Sequence, residues 1–173
     1  GDTLRLDAEA VLLATGRKPN TESLNLQAAG IRTTNRGAIE VDSKLRTNIP
    51  NIWAIGDVHG GLQFTYLSLD DYRLIREELF GNGFRSLDDR EAVAYSVFID
   101  PQLAHVGLNE TQARKMEKNI KVASLPAAAM PRTRTIEQTD GLLKAVVDAD
   151  TGKIRGCTLF CAESSEGINT VSL

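Results

Sequence analysis

The residues best placed to do chemistry follow a short apolar run. Residues 52–55 (Ile-Trp-Ala-Ile) predict a buried strand, and Gly56 and Asp57 come directly after it. Gly56 lacks a Cβ, so a ligand can approach the backbone closely. Asp57 carries an acceptor-only carboxylate that can bind sugar-like hydroxyls. From these residues alone, a ligand contact and an ordinary Gly-Asp turn are about equally supported.

The longer string around this turn is far more specific. Residues 47–57 (TNIPNIWAIGD) resemble the second FAD-binding motif of the pyridine nucleotide-disulfide oxidoreductases, the family of glutathione reductase, dihydrolipoamide dehydrogenase and mercuric reductase. Residues 14–20 (ATGRKPN) resemble the signature where the nicotinamide-nucleotide domain returns to the FAD domain. Residues 97–110 (VFIDPQLAHVGLNE) are similar to the entry of the family's interface domain. Within the family, residues 63–73 (QFTYLSLDDYR) look most like the subgroup associated with resistance to reactive chlorine species.

This resemblance implies the cofactors FAD and NAD(P)H and a homodimeric assembly. It implies that Asp57 binds the ribityl chain of FAD. It also implies that the next helix points its N-terminus, with about half a positive charge, at the flavin. The implied cofactor-binding residues are Gly16, beside the nicotinamide nucleotide, and Gly56, Asp57, Gln63, Phe64, Thr65 and Tyr66, at the flavin.

The helix after residue 63 also has an ordinary interpretation. Periodicity alone favours an amphipathic helix that runs to about residue 80, with Thr65 as a plain cap. Its predicted buried stripe consists of Leu69, Tyr72, Ile75 and Leu79.

Several elements of the family's catalytic machinery have no counterpart in this sequence. It contains neither glycine-rich nucleotide fingerprint, no Cys-x4-Cys pair, and no C-terminal His-Pro with a downstream Glu. It begins without a methionine and stops inside a helix predicted from Ser164, whose apolar face would start with Ile168 and Val171. We therefore expect a C-terminal fragment of a longer enzyme, inactive alone and without catalytic residues of its own.

The predicted fold class is α+β, the C-terminal half of an FAD-binding α/β domain plus a truncated antiparallel-sheet interface domain. By the resemblance, residues 1–15 are the last strands of the NAD(P)-binding domain. Residues 16–88 are the second half of the FAD-binding domain, and residues 89–173 are the incomplete dimerisation domain. The glycine-rich and polar stretch 81–90 is the predicted linker.

Local patterns place further elements along the chain. The first half predicts strands at 4–8 and 10–14, a short helix near 21–29 and a strand pair around 39–41. The second half predicts strand, strand, helix (110–118), strand, loop, strand, strand and helix, with helices on one face of the sheet. Residues 148–153 predict a hairpin turn between strands 142–147 and 154–160.

The cysteines and histidines invite a redox or metal-site interpretation that their spacing does not support. Cys157 and Cys161 lie in a strand-like run, where residues four apart are separated by roughly 13 Å. A disulfide needs Cα atoms within about 7 Å, so core or edge thiols are favoured. His59 and His105 have no neighbours at a metal-ligand spacing. We place His59 near the flavin and His105 in the sheet, and we predict no metal site.

Two basic clusters each allow two interpretations. Arg17 and Lys18 favour a solvated turn over a contact with the extra phosphate of NADP. Arg132 and Arg134 favour a solvated loop over salt bridges across a dimer interface.

The amino-acid composition limits the classes of protein to which this chain can belong. The chain has 173 residues, 42% hydrophobic, and a formal net charge of −3. This is enough for one or two small domains, and the near-balanced charge argues against nucleic acid as a partner. The absence of an apolar run of about 20 residues argues against a membrane span, and few cysteines fit the cytoplasm. The alternative function is a non-catalytic self-association module with no flavin binding of its own.

Overall fold

The helices and strands belong to two units of the chain, Gly1–Asp89 and Arg90–Leu173. The computed structural model describes residues 3–90, 92–116 and 119–172. No helix within these ranges is both long and apolar enough to cross a membrane.

The first unit contains one long helix, α1 (Thr65–Phe80), whose predicted presence and extent are confirmed. The 3-10 turns of this unit are Glu22–Leu24, Gly56–His59 and Leu87–Asp89. Buried side chains from the loops and from α1 form the core of the unit. They are Ala38, Ile39, Leu45, Ala54, Leu67 and Leu74.

Helix α1 buries a different face from the predicted one. Leu67, Asp71 and Leu74 are buried, at the four- and three-residue spacing of one helix face. Of the predicted stripe, Leu69, Tyr72 and Leu79 are about half exposed and Ile75 is partly buried. The prediction is wrong because the face that is buried includes a carboxylate, Asp71, which is hydrogen-bonded inside the unit.

The short strands predicted in the first unit are wrong. Residues 3–14 contain no strand, and their apolar side chains are more than three-quarters exposed. The predicted strand at 52–55 is reduced to one bridge, between Arg46 and Trp53. A strand needs a neighbouring strand that pairs with its backbone N–H and C=O groups. Among the described residues of this unit, strand pairing is limited to isolated bridges.

Two other elements of the first unit are shorter than predicted. The strand pair around 39–41 is a single bridge between Thr33 and Ile39. The helix near 21–29 is the 3-10 turn Glu22–Leu24, which ends at Asn25 in the left-handed region with φ 48°.

The second unit is built on five strands, β1 (Tyr95–Val97), β2 (Leu103–Gly107), β3 (Ile120–Pro126), β4 (Leu142–Asp148) and β5 (Ile154–Phe160). They form one antiparallel sheet in the order β1-β2-β5-β4-β3. Its helices are α2 (Glu110–Met116), α3 (Pro131–Thr135) and α4 (Ser164–Val171). The predicted order of strands and long helices is confirmed. Residues 117 and 118 of the predicted helix at 110–118 lie outside the described residues.

The hairpin between β4 and β5 closes through the predicted turn. The Asp148 carboxylate accepts the backbone N–H groups of Asp150 and Thr151, each at 2.9 Å. These bonds hold the pKa of Asp148 below its usual value. Gly152 has φ 74°, a conformation that favours glycine.

The core of the second unit lies between one face of the sheet and α4. It consists of Ala104, Val106, Ala127, Cys157, Leu159, Cys161 and Ile168. Ile168 of α4 is buried as predicted, but Val171 is 38% exposed.

Helix α2 contacts the opposite face of this sheet. Its residue Glu110 pairs with Lys144, while the preceding residue of β4, Leu143, packs against the core. Successive residues of a strand point to opposite faces. The prediction that helices cover only one face is therefore wrong.

Candidate functional site

The predicted ligand-binding turn is a 3-10 turn, Gly56–His59, that follows an extended Ile55. Gly56 has φ 69°, in the region that favours glycine. A Cβ on Gly56 would lie 2.9 Å from Oγ of Ser68, in the first turn of α1. The close approach at this glycine is therefore made by α1, and its assignment to a cofactor contact stays a prediction.

Asp57 presents an exposed carboxylate from this turn. Its backbone carbonyl accepts the N–H of Gly60 at 3.2 Å, which closes the turn. The carboxylate has no hydrogen bond or ion pair with any described residue. The turn thus holds the backbone of Asp57 in place and leaves its acceptor oxygens available for hydroxyl donors of a ligand.

A buried carboxylate that sequence reasoning missed, Asp71 of α1, holds the turn against the helix. Asp71 is 1% exposed. Its Oδ2 accepts the backbone N–H of Gly56 at 2.7 Å and lies 3.1 Å from Nε2 of His59. The available signal was its spacing, because Asp71 lies four residues after Leu67 and three before Leu74, on the face that these leucines bury.

The start of α1 contains the other residues predicted at the flavin. Phe64 occupies the N-cap position and makes no side-chain capping bond, so the expectation that Thr65 caps the helix is wrong. The rings of Phe64 and Tyr66 stack at 5.5 Å. Gln63 and Phe64 are partly buried, whereas Thr65 and Tyr66 are exposed. Partial burial raises the pKa of the Tyr66 phenol.

The structure therefore brings the Asp57 turn and the first turns of α1 together. Gly16 is not brought to this site. It has φ 92°, and no atom lies within 4 Å of the position that an added Cβ would occupy. Near Gly16, Lys18 pairs with Glu22 on the exposed surface. This pairing agrees with the solvated turn favoured for Arg17 and Lys18.

This turn offers hydrogen-bond acceptors to a ligand. An exposed carboxylate without a partner among the described residues can accept hydrogen bonds from hydroxyls. The adjacent helix start carries positive partial charge. The roles of the seven predicted residues at FAD and NAD(P)H stay predictions.

The two cysteines and His105 are structural residues of the second unit. Cys157 and Cys161 are buried free thiols, as predicted, and burial raises the pKa of each. His105 is buried in the sheet, as predicted. Its Nε2 lies 2.9 Å from the carbonyl of Gly107, an acceptor, and its Nδ1 lies 2.8 Å from Oγ1 of Thr158.

The predicted loop with Arg132 is instead the short helix α3. Arg132 pairs with Glu163 of its own unit at 2.9 Å and holds the pKa of that carboxyl below its usual value. Proline at the first helical position explains the helix start, since Pro131 has no N–H that would need an acceptor. Among the described residues, no group of three or more His, Cys, Asp or Glu side chains could hold a metal ion.

Comparison with known proteins identifies the family. Residues 93–173 match the model of the pyridine nucleotide-disulphide oxidoreductase dimerisation domain, and residues 1–71 match the model of pyridine nucleotide-disulphide oxidoreductase. The chain belongs to the class I pyridine nucleotide-disulfide oxidoreductase family. The family predicted from the three motifs is thereby confirmed.

Individual relatives agree with this assignment. The chain is 53% identical to the probable pyridine nucleotide-disulfide oxidoreductase RclA of Escherichia coli K12, over 98% of this chain and 38% of that protein. It is 38% identical to dihydrolipoyl dehydrogenase of Geobacillus stearothermophilus, over 100% of this chain and 36% of that protein. The chain thus spans a little over a third of the length of these curated relatives.

A solved structure supports the predicted subgroup. The HOCl-induced flavoprotein disulfide reductase RclA from Escherichia coli superposes with a TM-score of 0.87 at 54% sequence identity. The match covers 91% of this chain and 36% of that one.

Proposed function

We propose that this chain forms part of the flavin site and part of the dimer interface of a longer, cytoplasmic FAD-dependent oxidoreductase that uses NAD(P)H. Its membership in the family and its span of about a third of its relatives support this proposal. Bound FAD would supply the electron transfer between NAD(P)H and an acceptor.

The observation that carries the proposal is the exposed carboxylate of Asp57 on a turn held against the start of α1. Asp57 would accept hydrogen bonds from ribityl hydroxyls. The N–H groups of the first turn of α1 would stabilise negative charge on the edge of the flavin ring. Gln63, Phe64, Thr65 and Tyr66 would line this edge, and Gly16 would lie beside the nicotinamide nucleotide.

The second unit would supply the homodimer contact. Its sequence matches a dimerisation domain. Val97, Phe98 and Ile99 are 41%, 79% and 52% exposed at the end of β1, which is an edge strand. An apolar patch at an edge is a surface that a second copy can cover in a two-fold contact.

Cofactor analysis of the longer enzyme tests the flavin part of this proposal. We expect the purified protein to carry FAD, identified after heat release by chromatography, and NAD(P)H to bleach its visible absorbance without oxygen. Protein that neither carries nor takes up FAD would refute the flavin function.

The alternative is a self-association module without flavin binding. The comparisons do not favour it, because the relatives are oxidoreductases. It predicts that even the longer protein shows no flavin absorbance after incubation with FAD, so the same measurement distinguishes the two functions.

A further inference from the structure

The buried carboxyl group on α1 is unusual for its position. Asp71 shares the buried helix face with Leu67 and Leu74, where an apolar side chain would pack without desolvating a charge. A carboxylate stays buried only when hydrogen bonds replace its lost hydration. Two of the groups that do so, the N–H of Gly56 and the ring of His59, belong to the Gly56–His59 turn.

These two contacts bracket Asp57. Gly56 precedes it directly, and His59 follows it by two residues. Both partners meet the same oxygen, Oδ2 of Asp71, at 2.7 Å and 3.1 Å. A carboxylate oxygen only accepts, and an imidazole nitrogen can donate to it. One buried atom thus ties both ends of the turn to α1.

Two further contacts restrict the backbone of the same turn. The carbonyl of Val58 accepts the N–H of Ile39 at 2.8 Å. At Gly60, a Cβ would lie 2.7 Å from Cβ of Ala38, so only glycine fits that end of the turn. The backbone is thus held from two sides while the Asp57 side chain faces solvent.

We infer that Asp71, acting with His59, is a positioning residue that sets the Asp57 carboxylate relative to the start of α1 before the flavin binds. This inference rests on the proposed flavin function. Asp71 itself is buried and acts through the backbone of the turn. A carboxylate that is already oriented loses less conformational entropy on binding, so the tether should raise the affinity for FAD.

Substitutions in the longer, FAD-containing enzyme test this role. Asp71→Leu removes the acceptor and keeps the branched shape of the side chain, whereas Asp71→Asn retains one acceptor oxygen. The matched control is Asp70→Asn on the same helix, whose carboxylate pairs with Arg85 at 3.0 Å. We expect Asp71→Leu to raise the FAD dissociation constant tenfold or more, about 1.4 kcal/mol per tenfold. Asp71→Asn should have a smaller effect, and the control none.

Two further measurements separate positioning from general destabilisation. Amide hydrogen exchange at Gly56, measured in apoprotein, should be at least tenfold faster in Asp71→Leu than in the Asp70→Asn control, with Asp71→Asn between the two. Leu74→Val weakens packing on the same buried face of α1 without removing the tether. If Leu74→Val and an Asp71 variant lower the unfolding temperature by the same amount, Leu74→Val should still bind FAD more tightly.

The outcomes are distinguishable. If Asp71→Leu and Asp71→Asn bind FAD as tightly as the control, or no worse than Leu74→Val, the positioning role is refuted. If Asp71→Leu does not fold, the Asp71→Asn affinity and its Gly56 exchange rate decide. A wild-type enzyme that binds no FAD refutes the proposed function instead, and the exchange rates still report whether Asp71 holds the turn.

Discussion

Replacing Asp57 by alanine should weaken FAD binding in the longer enzyme while leaving the apoprotein as stable as before. The carboxylate is exposed and has no partner among the described residues, so its removal breaks no contact there. Surface substitutions of this kind change the free energy of unfolding by less than about 0.5 kcal/mol.

The loss of affinity follows from one missing hydrogen bond to a ribityl hydroxyl. A hydrogen bond to a charged group contributes about 1.5–3 kcal/mol, which corresponds to roughly 10- to 150-fold in the dissociation constant. Because the free carboxylate is hydrated before the ligand arrives, we expect the lower end, about tenfold. Asp57→Asn should lie between wild type and Asp57→Ala, because the amide keeps one acceptor oxygen.

Titration of apoprotein with FAD, followed by flavin fluorescence, measures this effect, and thermal unfolding of the same samples measures stability. Asp7→Ala is the matched control, since Asp7 is also an exposed aspartate of the first unit without a partner among the described residues. An Asp57→Ala enzyme with the dissociation constant of wild type would refute the reasoning. A large fall in its apoprotein stability would show instead that the carboxylate has a structural role.

Three further predictions concern activity, assembly and the thiols. The 173-residue chain should oxidise no NAD(P)H above a free-flavin control when FAD and a disulfide are added, and faster turnover would contradict this. It should self-associate below about 100 µM in sedimentation experiments, and Phe98→Asp should weaken association because Phe98 is 79% exposed next to the edge strand. A strictly monomeric wild-type chain would contradict the proposed interface. Cys157 and Cys161 should react with a thiol reagent only after unfolding, because burial raises both pKa values. Since the unfolded thiols ionise first, stability should fall as pH rises above about 8.5, and Cys157→Ala with Cys161→Ala should reduce that slope.

The sequence by itself determined the family and the second unit. Apolar runs separated by turn residues predicted β4, β5 and their hairpin, because the partner of each strand is close in the sequence and the Asp148 turn is made by local bonds. Helix α1 was predictable for the same reason, since its backbone bonds are internal. Asp57 was found through its motif, whose specificity exceeds that of any single residue.

Only the tertiary structure decided which face α1 buries and what holds the candidate site. Periodicity assigns a carboxylate to the solvated face, and it does not reveal that Gly56 and His59, far earlier in the chain, compensate the burial of Asp71. Strands in the first unit failed for a related reason, because a strand forms only where another segment accepts its hydrogen bonds. Both outcomes depend on contacts between distant residues, which a local pattern does not encode.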